Sequence, residues 1–102
     1  ALTVYGRTLA VTRKYFPQEQ LSIATGLSNT ASVYMKQGRY EEAIEAYRGA
    51  LAVYRNAQGK EHPDTAATLH NMANVYNSEG RYKKALKAYG RALVVNRKAL
   101  GE

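Results

Sequence analysis

Few residues in this sequence have the types and spacing that chemistry requires. Two histidines, His62 and His70, occur in a chain with eight acidic residues and no cysteine. Neither belongs to a pattern that supplies a third metal ligand, so we predict no metal site. No grouping of serine, histidine and acid supports a nucleophilic triad, and the glycines form no phosphate-binding loop. The sequence therefore predicts a protein that catalyses no reaction and carries no cofactor.

Basic residues are concentrated near the end of the chain. The 102 residues include 15 Lys or Arg and 8 Asp or Glu, a net charge of +7, yet residues 81–98 contain no acid. The term basic patch is used below for Lys83, Lys84, Lys87, Arg91 and Lys98, most of which follow helical spacing. Three interpretations stay open: a solvated face or one matched to an acidic neighbouring unit, a site for an acidic peptide, and a site for nucleic acid or an anionic membrane.

Length and composition bound the class of protein. A chain of 102 residues with 45% apolar and 23% charged residues is typical of one globular domain rather than a disordered segment. No apolar run approaches the length of a transmembrane helix or of a signal-peptide core. The absence of cysteine excludes a disulfide scaffold, and we take the cytoplasm as the default location.

The elements that position these residues are repeated along the chain. Residues 33–59 read VYMKQGRYEEAIEAYRGALAVYRNAQG, and residues 75–101 read VYNSEGRYKKALKAYGRALVVNRKALG. When the sequence is aligned with itself at an offset of 42 residues, 25 of the 60 aligned pairs are identical. This number is far above the chance level, so the chain contains an internal repeat. The start of the chain aligns with the second half of a unit. We therefore divide the domain, residues 1–102, into a truncated repeat (1–18) and two repeats (19–60 and 61–102).

Each repeat is predicted to consist of two helices, because its apolar residues recur with a helical period. Gly38 and Gly80 suit the left-handed position that ends a helix, and Pro63 suits the first position of one. We place five helices near residues 1–15, 19–37, 40–57, 63–79 and 82–99.

Small and aromatic residues are assigned to the core of the stack. Ala31, Ala43 and Ala50 would let paired helices approach closely, and each unit buries its apolar face only against a neighbour. Seven of the nine tyrosines share repeat positions and are predicted to be core residues: Tyr5, Tyr34, Tyr40, Tyr47, Tyr76, Tyr82 and Tyr89. Only Tyr15 and Tyr54 remain, too few for a surface that stacks on single-stranded nucleic acid.

Residues 34–51, with the pattern Y-x3-G-x-Y-x2-A-x3-Y-x2-A-L, resemble the tetratricopeptide repeat, and residues 76–93 repeat the pattern. The period of 42 and the linker of residues 59–66 resemble the longer repeats of kinesin light chains. The resemblance implies an all-α, right-handed superhelical solenoid of antiparallel helix pairs. It also implies a scaffold that binds protein partners, and, if it extends to function, a cargo adaptor of a microtubule motor.

The resemblance also implies a peptide groove, because the first helix of each pair lines the concave side of such solenoids. Asn29 and Asn71 occupy equivalent positions there, and Asn74 lies one turn beyond Asn71. Family members use such carboxamides, which both donate and accept hydrogen bonds, to hold a peptide backbone. The alternative is a hydrogen-bond ladder that only stabilises the stack. The remaining residues assigned to the groove are Ser32, Lys36, His70 and Asn77.

Two further sequence features bear on the partner. The helix turns that carry Lys or Arg in tetratricopeptide domains specific for chaperone carboxylates hold Thr25, Ser28 and Ser32, then Ala67, His70 and Asn74, so we predict no carboxylate clamp. The last helix keeps Leu86, Leu93 and Leu100 where a polar cap is expected. We therefore expect a piece of a longer solenoid, with open ends that pair with another copy as an alternative function. Nucleic-acid binding through the basic patch is the third and least favoured function.

Overall fold

The computed structural model describes residues 17–101, and within that range every regular element is an α-helix. The helices are α1 (Pro17–Lys36), α2 (Tyr40–Gln58), α3 (Pro63–Ser78) and α4 (Tyr82–Ala99). They match four of the five predicted helices to within two residues at each end. The fifth predicted helix, at residues 1–15 with Tyr5, lies outside the described residues.

The helices pack as two adjacent pairs, α1 with α2 and α3 with α4, and the pairs join where α3 lies on α2. Contacts between opposite helix ends show that each pair is antiparallel. Asn56 near the end of α2 donates to Gln20 near the start of α1 at 2.9 Å. Lys98 at the end of α4 lies 3.7 Å from Glu61, just before α3. The predicted all-α stack of helix pairs is therefore confirmed.

The turn inside each pair has the same backbone structure. Gly38 and Gly80 have φ values of 75° and 79°, a left-handed conformation that glycine adopts without steric cost. The following residue donates back across the turn, Arg39 N–H to the Tyr34 carbonyl and Arg81 N–H to the Tyr76 carbonyl, both at 2.8 Å. This bond pattern satisfies carbonyls that a helix end leaves unpaired. The predicted glycine terminators are confirmed at both turns.

Helix α3 begins at Pro63, as predicted, and its cap is an unpredicted histidine. His62 is the N-cap residue, and its Nδ1 accepts a hydrogen bond from the Asp64 backbone N–H at 3.1 Å. The side chain thereby satisfies one of the N–H groups that the first turn leaves free. His62 therefore has a structural role at the helix start.

The core combines buried alanines with larger apolar side chains from α2 and α3. Ala31, Ala43 and Ala50 are completely buried, so their assignment to the core is confirmed. Leu69 and Val75 of α3 are 1% exposed, and the core cluster continues into Tyr47 of α2.

The tyrosine prediction is wrong at one position. Tyr47 and Tyr76 are buried, and Tyr34, Tyr40 and Tyr89 are half-buried. Tyr82, by contrast, is 63% exposed. Its equivalent in the first repeat, Tyr40, packs against the core because α3 follows on α2, whereas no helix within residues 17–101 follows on α4. The repeat pattern thus predicts burial only where a neighbouring pair supplies the covering surface.

None of the four described helices combines the length and the apolar character needed to cross a membrane.

Candidate functional site

The candidate surface is formed by polar residues on α1 and α3, the first helices of the two pairs. Asn29 and Asn71 are both exposed, and neither carboxamide bonds to another residue of the described range. Lys36 and Asn77 are also exposed, while Ser32 is half-buried. Two equivalent carboxamides are therefore exposed, and neither uses its donor or acceptor capacity on a residue between 17 and 101.

Asn74 differs from the other two asparagines because it is hydrogen-bonded to the second helix of its own pair. It is half-buried, and its Oδ1 accepts a hydrogen bond from the Tyr89 hydroxyl of α4. A tyrosine hydroxyl whose ring packs against a core usually finds such a partner, and the bond orients the amide. The Asn74 Nδ2 group keeps its capacity to donate, so Asn74 contributes at most a donor to this surface.

His70 lies beside the same tyrosine. Its ring is exposed and meets the Tyr89 ring edge to face, with centroids 5.1 Å apart and an interplanar angle of 65°. This is a favoured geometry for aromatic pairs. His70 and Asn71 also line a cleft of about 480 Å³ between α3 and α4. The remaining lining residues of the cleft are Pro63, Ala66, Ala67, Tyr89, Ala92, Leu93 and Asn96.

Sequence reasoning missed the role of Tyr89 at this site. The repeat pattern assigned Tyr89 to the core, and its ring does pack against the core cluster. Its hydroxyl, however, bonds Asn74, fifteen residues away. The first repeat has Ser32 in place of Asn74, so a comparison of the repeats marks the position as different without revealing its partner.

The basic patch is largely solvent-exposed. Lys83, Lys87 and Arg91 are exposed and form no ion pair with any residue between 17 and 101. The Lys84 ammonium lies 5.6 Å from the centre of the Tyr76 ring, a distance at which a cation is attracted to the ring face. Lys98 faces Glu61, with both side chains more than half exposed. Three cations of the basic patch are therefore available to an outside partner.

The ionisable side chains of residues 17–101 form no metal-binding cluster, and Tyr47, which has a shifted pKa, lies in the core. Burial raises the pKa of the Tyr47 phenol above its ordinary value of about 10. Tyr47 belongs to the core cluster and is not part of the candidate surface. No three His, Asp or Glu side chains within residues 17–101 are grouped so that they could hold a metal ion.

The family model described as tetratricopeptide repeat matches residues 22–98. This range begins in α1 and ends one residue before the last residue of α4. No curated protein matches the chain.

Proposed function

The chain belongs to the tetratricopeptide repeat family, and from this membership we propose that it is a non-catalytic scaffold that binds a peptide segment of a partner protein. The surface we assign to the peptide runs along α1 and α3, through Asn29 and Asn71. The observation that carries the proposal is the state of these two carboxamides. They occupy equivalent positions, are exposed, and make no hydrogen bond inside the described chain.

The chemistry of a carboxamide suits a peptide backbone. Each amide group donates to a carbonyl and accepts from an N–H, so two of them can bind an extended segment with little dependence on its side chains. An internal ladder would use up these bonds, yet neither Asn29 nor Asn71 has such a partner among residues 17–101. The free donor of Asn74 and the exposed amide of Asn77 extend the same surface.

Charge around this surface favours an acidic segment. Lys36 on α1 is exposed, and the chain carries a net charge of +7. Opposite charge speeds the encounter of partners more than it tightens the complex. An acidic peptide should therefore associate faster at low salt, whereas the bonds to the carboxamides should persist at physiological salt.

A narrower proposal concerns the type of scaffold. The 42-residue period and the linker of residues 59–66 are similar to the repeats of kinesin light chains. On this basis we propose a cargo adaptor of a microtubule motor, in which the peptide belongs to the cargo. The probes for this role are acidic peptides with a central aromatic residue. They combine negative charge, which Lys36 would attract, with an apolar side chain that can be buried on binding.

The experiment is a fluorescence-polarisation screen of the full 102-residue chain against short labelled peptides at physiological salt. The screen includes the acidic peptides with a central aromatic residue. The best peptide is then titrated into the variants Asn29→Ala and Asn71→Ala. The matched control is Gln37→Ala, because Gln37 is an exposed carboxamide in the turn after α1 and not on the two groove helices.

Each groove variant should weaken binding by about five- to tenfold, the usual effect of one lost hydrogen bond, while Gln37→Ala should bind as the wild type does. Binding that is unchanged in both asparagine variants would refute the assignment of the groove. Binding that disappears at physiological salt, together with retention on heparin, would instead favour nucleic-acid recognition by the basic patch.

A further inference from the structure

A line of cations runs along one flank of α4, and the first repeat has no cation at the equivalent positions. The term cationic stripe is used for Lys84, Lys87, Arg91 and Lys98, which are three, four and seven residues apart. At 3.6 residues per turn these positions lie within about 60° of one another around the helix, and they extend over about 21 Å. The equivalent residues of α2 are two acids and two uncharged residues: Glu42, Glu45, Gly49 and Asn56. The two repeats therefore differ in charge along this stripe.

Two contacts show which way the cationic stripe faces. The Lys84 ammonium lies 5.6 Å from the centre of the Tyr76 ring, near the end of α3. The Lys98 ammonium lies 3.7 Å from a carboxylate oxygen of Glu61, just before the start of α3. The two ends of the stripe therefore reach back toward the two ends of α3, which lies within the described chain.

The cationic stripe is separate from the cleft between α3 and α4. The residues of α4 that line this cleft are Tyr89, Ala92, Leu93 and Asn96. Leu93 lies about 120–180° around the helix from the four cations, and the exposed Leu86 lies about 100–160° from them. A ligand on the stripe therefore leaves the cleft and the peptide groove open.

The charges of the stripe act against the helix that carries them. Lys84 lies in the first turn of α4, which contains no acid, and the positive end of the helix dipole disfavours a cation there. Helix α2 has Glu41 and Glu42 in the same turn. Like charges at a spacing of three or four residues also repel, as Lys84 does with Lys87 and Lys87 with Arg91. A bound anion would relieve both effects, and residues that break local rules of stability are typical of functional sites.

The stripe is accessible and mostly unpaired. All four of its side chains are exposed. Lys84, Lys87 and Arg91 form no ion pair with any residue between 17 and 101. Residues 81–98 contain no acid that could neutralise them. Three cations of the stripe are therefore free to meet carboxylates from outside the described chain.

We propose that the cationic stripe binds an acidic segment of a partner protein, a run of glutamates or aspartates that lies along α4. The pair between Lys98 and Glu61 shows such a contact at one end of the stripe, and the partner supplies carboxylates to the other three cations. An extended chain rises about 3.3 Å per residue, so about seven residues span the stripe. The segment needs no folded structure of its own, because runs of like charge are typical of disordered tails.

The aromatic residues near the stripe favour an acidic segment over a single strand of nucleic acid. Proteins that bind single strands combine a basic groove with exposed rings on which bases stack. The Tyr76 ring beside the stripe is only 8% exposed, and Lys84 lies over it. Tyr82 is 63% exposed but lies about 140–180° around α4 from the four cations. Neither ring can stack on a base of a strand that follows the stripe.

The probe is a labelled peptide of about eight glutamates, long enough to span the stripe, and the matched probe has glutamine at every position. Polarisation is measured against the full 102-residue chain at about 50 mM salt, where exposed charges are screened less. The test variant combines Lys84→Glu and Lys87→Glu, which restores the residues of α2. The control combines Lys36→Glu and Lys60→Glu, because it changes the net charge equally and both lysines are exposed and lie outside α4.

We expect the wild type to bind the glutamate peptide and not the glutamine peptide. The test variant should weaken binding at least about tenfold, because two exposed attractions become repulsions. The control variant should lose less than about threefold, since distant exposed charges are screened. Asn29→Ala and Asn71→Ala should bind the glutamate peptide as the wild type does, so a failure of the stripe and a failure of the peptide groove give different results.

Three results would overturn the proposal. The first is equal binding of the glutamate and glutamine peptides, and the second is an equal loss in the test and control variants. The third is tighter binding of an oligothymidylate of matched length that the test variant abolishes, because nucleic acid would then be the occupant. Circular dichroism should show that the test variant is folded, since acids in the first turn favour a helix. Combined Lys87→Gln and Arg91→Gln substitutions should also weaken binding, without introducing any new charge.

Discussion

Truncation of one leucine position in both repeats measures how much the neighbouring pair contributes to stability. Leu51 and Leu93 are equivalent residues, 42 positions apart, and they are 7% and 53% exposed. Leu51→Ala removes side-chain atoms from the core cluster and leaves a cavity, so we expect a loss of about 3 kcal/mol in the free energy of unfolding.

Leu93→Ala should cost much less. Burying a whole leucine contributes about 1.5–3 kcal/mol, and more than half of the Leu93 side chain is still in water. The site also opens to solvent, so that no closed cavity forms. We therefore expect a loss of about 1 kcal/mol or less, which leaves a difference of about 2 kcal/mol between the two variants.

Urea unfolding followed by far-ultraviolet circular dichroism measures both losses. In a chain of this size, 1 kcal/mol corresponds to about 4–8 °C in Tm, so thermal melting provides a second readout of the same difference. Equal losses for the two variants would refute the reasoning, because they would mean that α4 is covered as fully as α2. The slope of the urea transition should stay unchanged, since neither truncation alters the extent of the fold.

Four further predictions concern two glycines, a helix cap and a core tyrosine. Gly90→Ala should raise stability by about 0.5–1 kcal/mol, since Gly90 is helical with open space around its Cα. Gly38→Ala should lower the free energy of unfolding by about 1 kcal/mol, because alanine is strained at the φ of 75° that Gly38 adopts. Chemical denaturation of both glycine variants measures the expected gain and the expected loss. His62→Ala should cost about 1 kcal/mol through loss of the N-cap and His62→Asn should restore it, as seen by thermal melting. Burial raises the pKa of the Tyr47 phenol, so the contribution of the neutral side chain to folding stability is complete below about pH 10 and is lost as the pH rises further. The urea midpoint of Tyr47→Phe should therefore fall less steeply above about pH 10 than that of the wild type.

The helices could be predicted from the sequence because their signals are local. The helical period of the apolar residues, Gly38 and Gly80 at the ends, and Pro63 at a start each act within one or two turns. The apolar period and the terminating glycine occur in both repeats, and the four described helices lie within two residues of their predicted bounds. The His62 cap was missed because histidine is not among the usual capping residues.

The surroundings of the candidate site could not be predicted, because they depend on which helices are neighbours. Tyr82 and Tyr40 occupy equivalent repeat positions, yet within residues 17–101 only Tyr40 lies beside a following helix pair. The hydrogen bond from Tyr89 to Asn74 likewise joins two helices and has no counterpart at Ser32. A sequence repeat gives the positions that face a neighbour but not whether the neighbour is present.

The most direct test of the peptide-binding surface observes the asparagine side chains themselves. Nuclear magnetic resonance resolves each carboxamide NH₂ group of the isotope-labelled chain, and the best peptide from the screen is titrated in. We predict that the side-chain signals of Asn29 and Asn71 shift together and saturate with the affinity measured by polarisation, while the Gln37 signal stays in place. Saturable binding with no movement of the Asn29 and Asn71 signals would contradict the account.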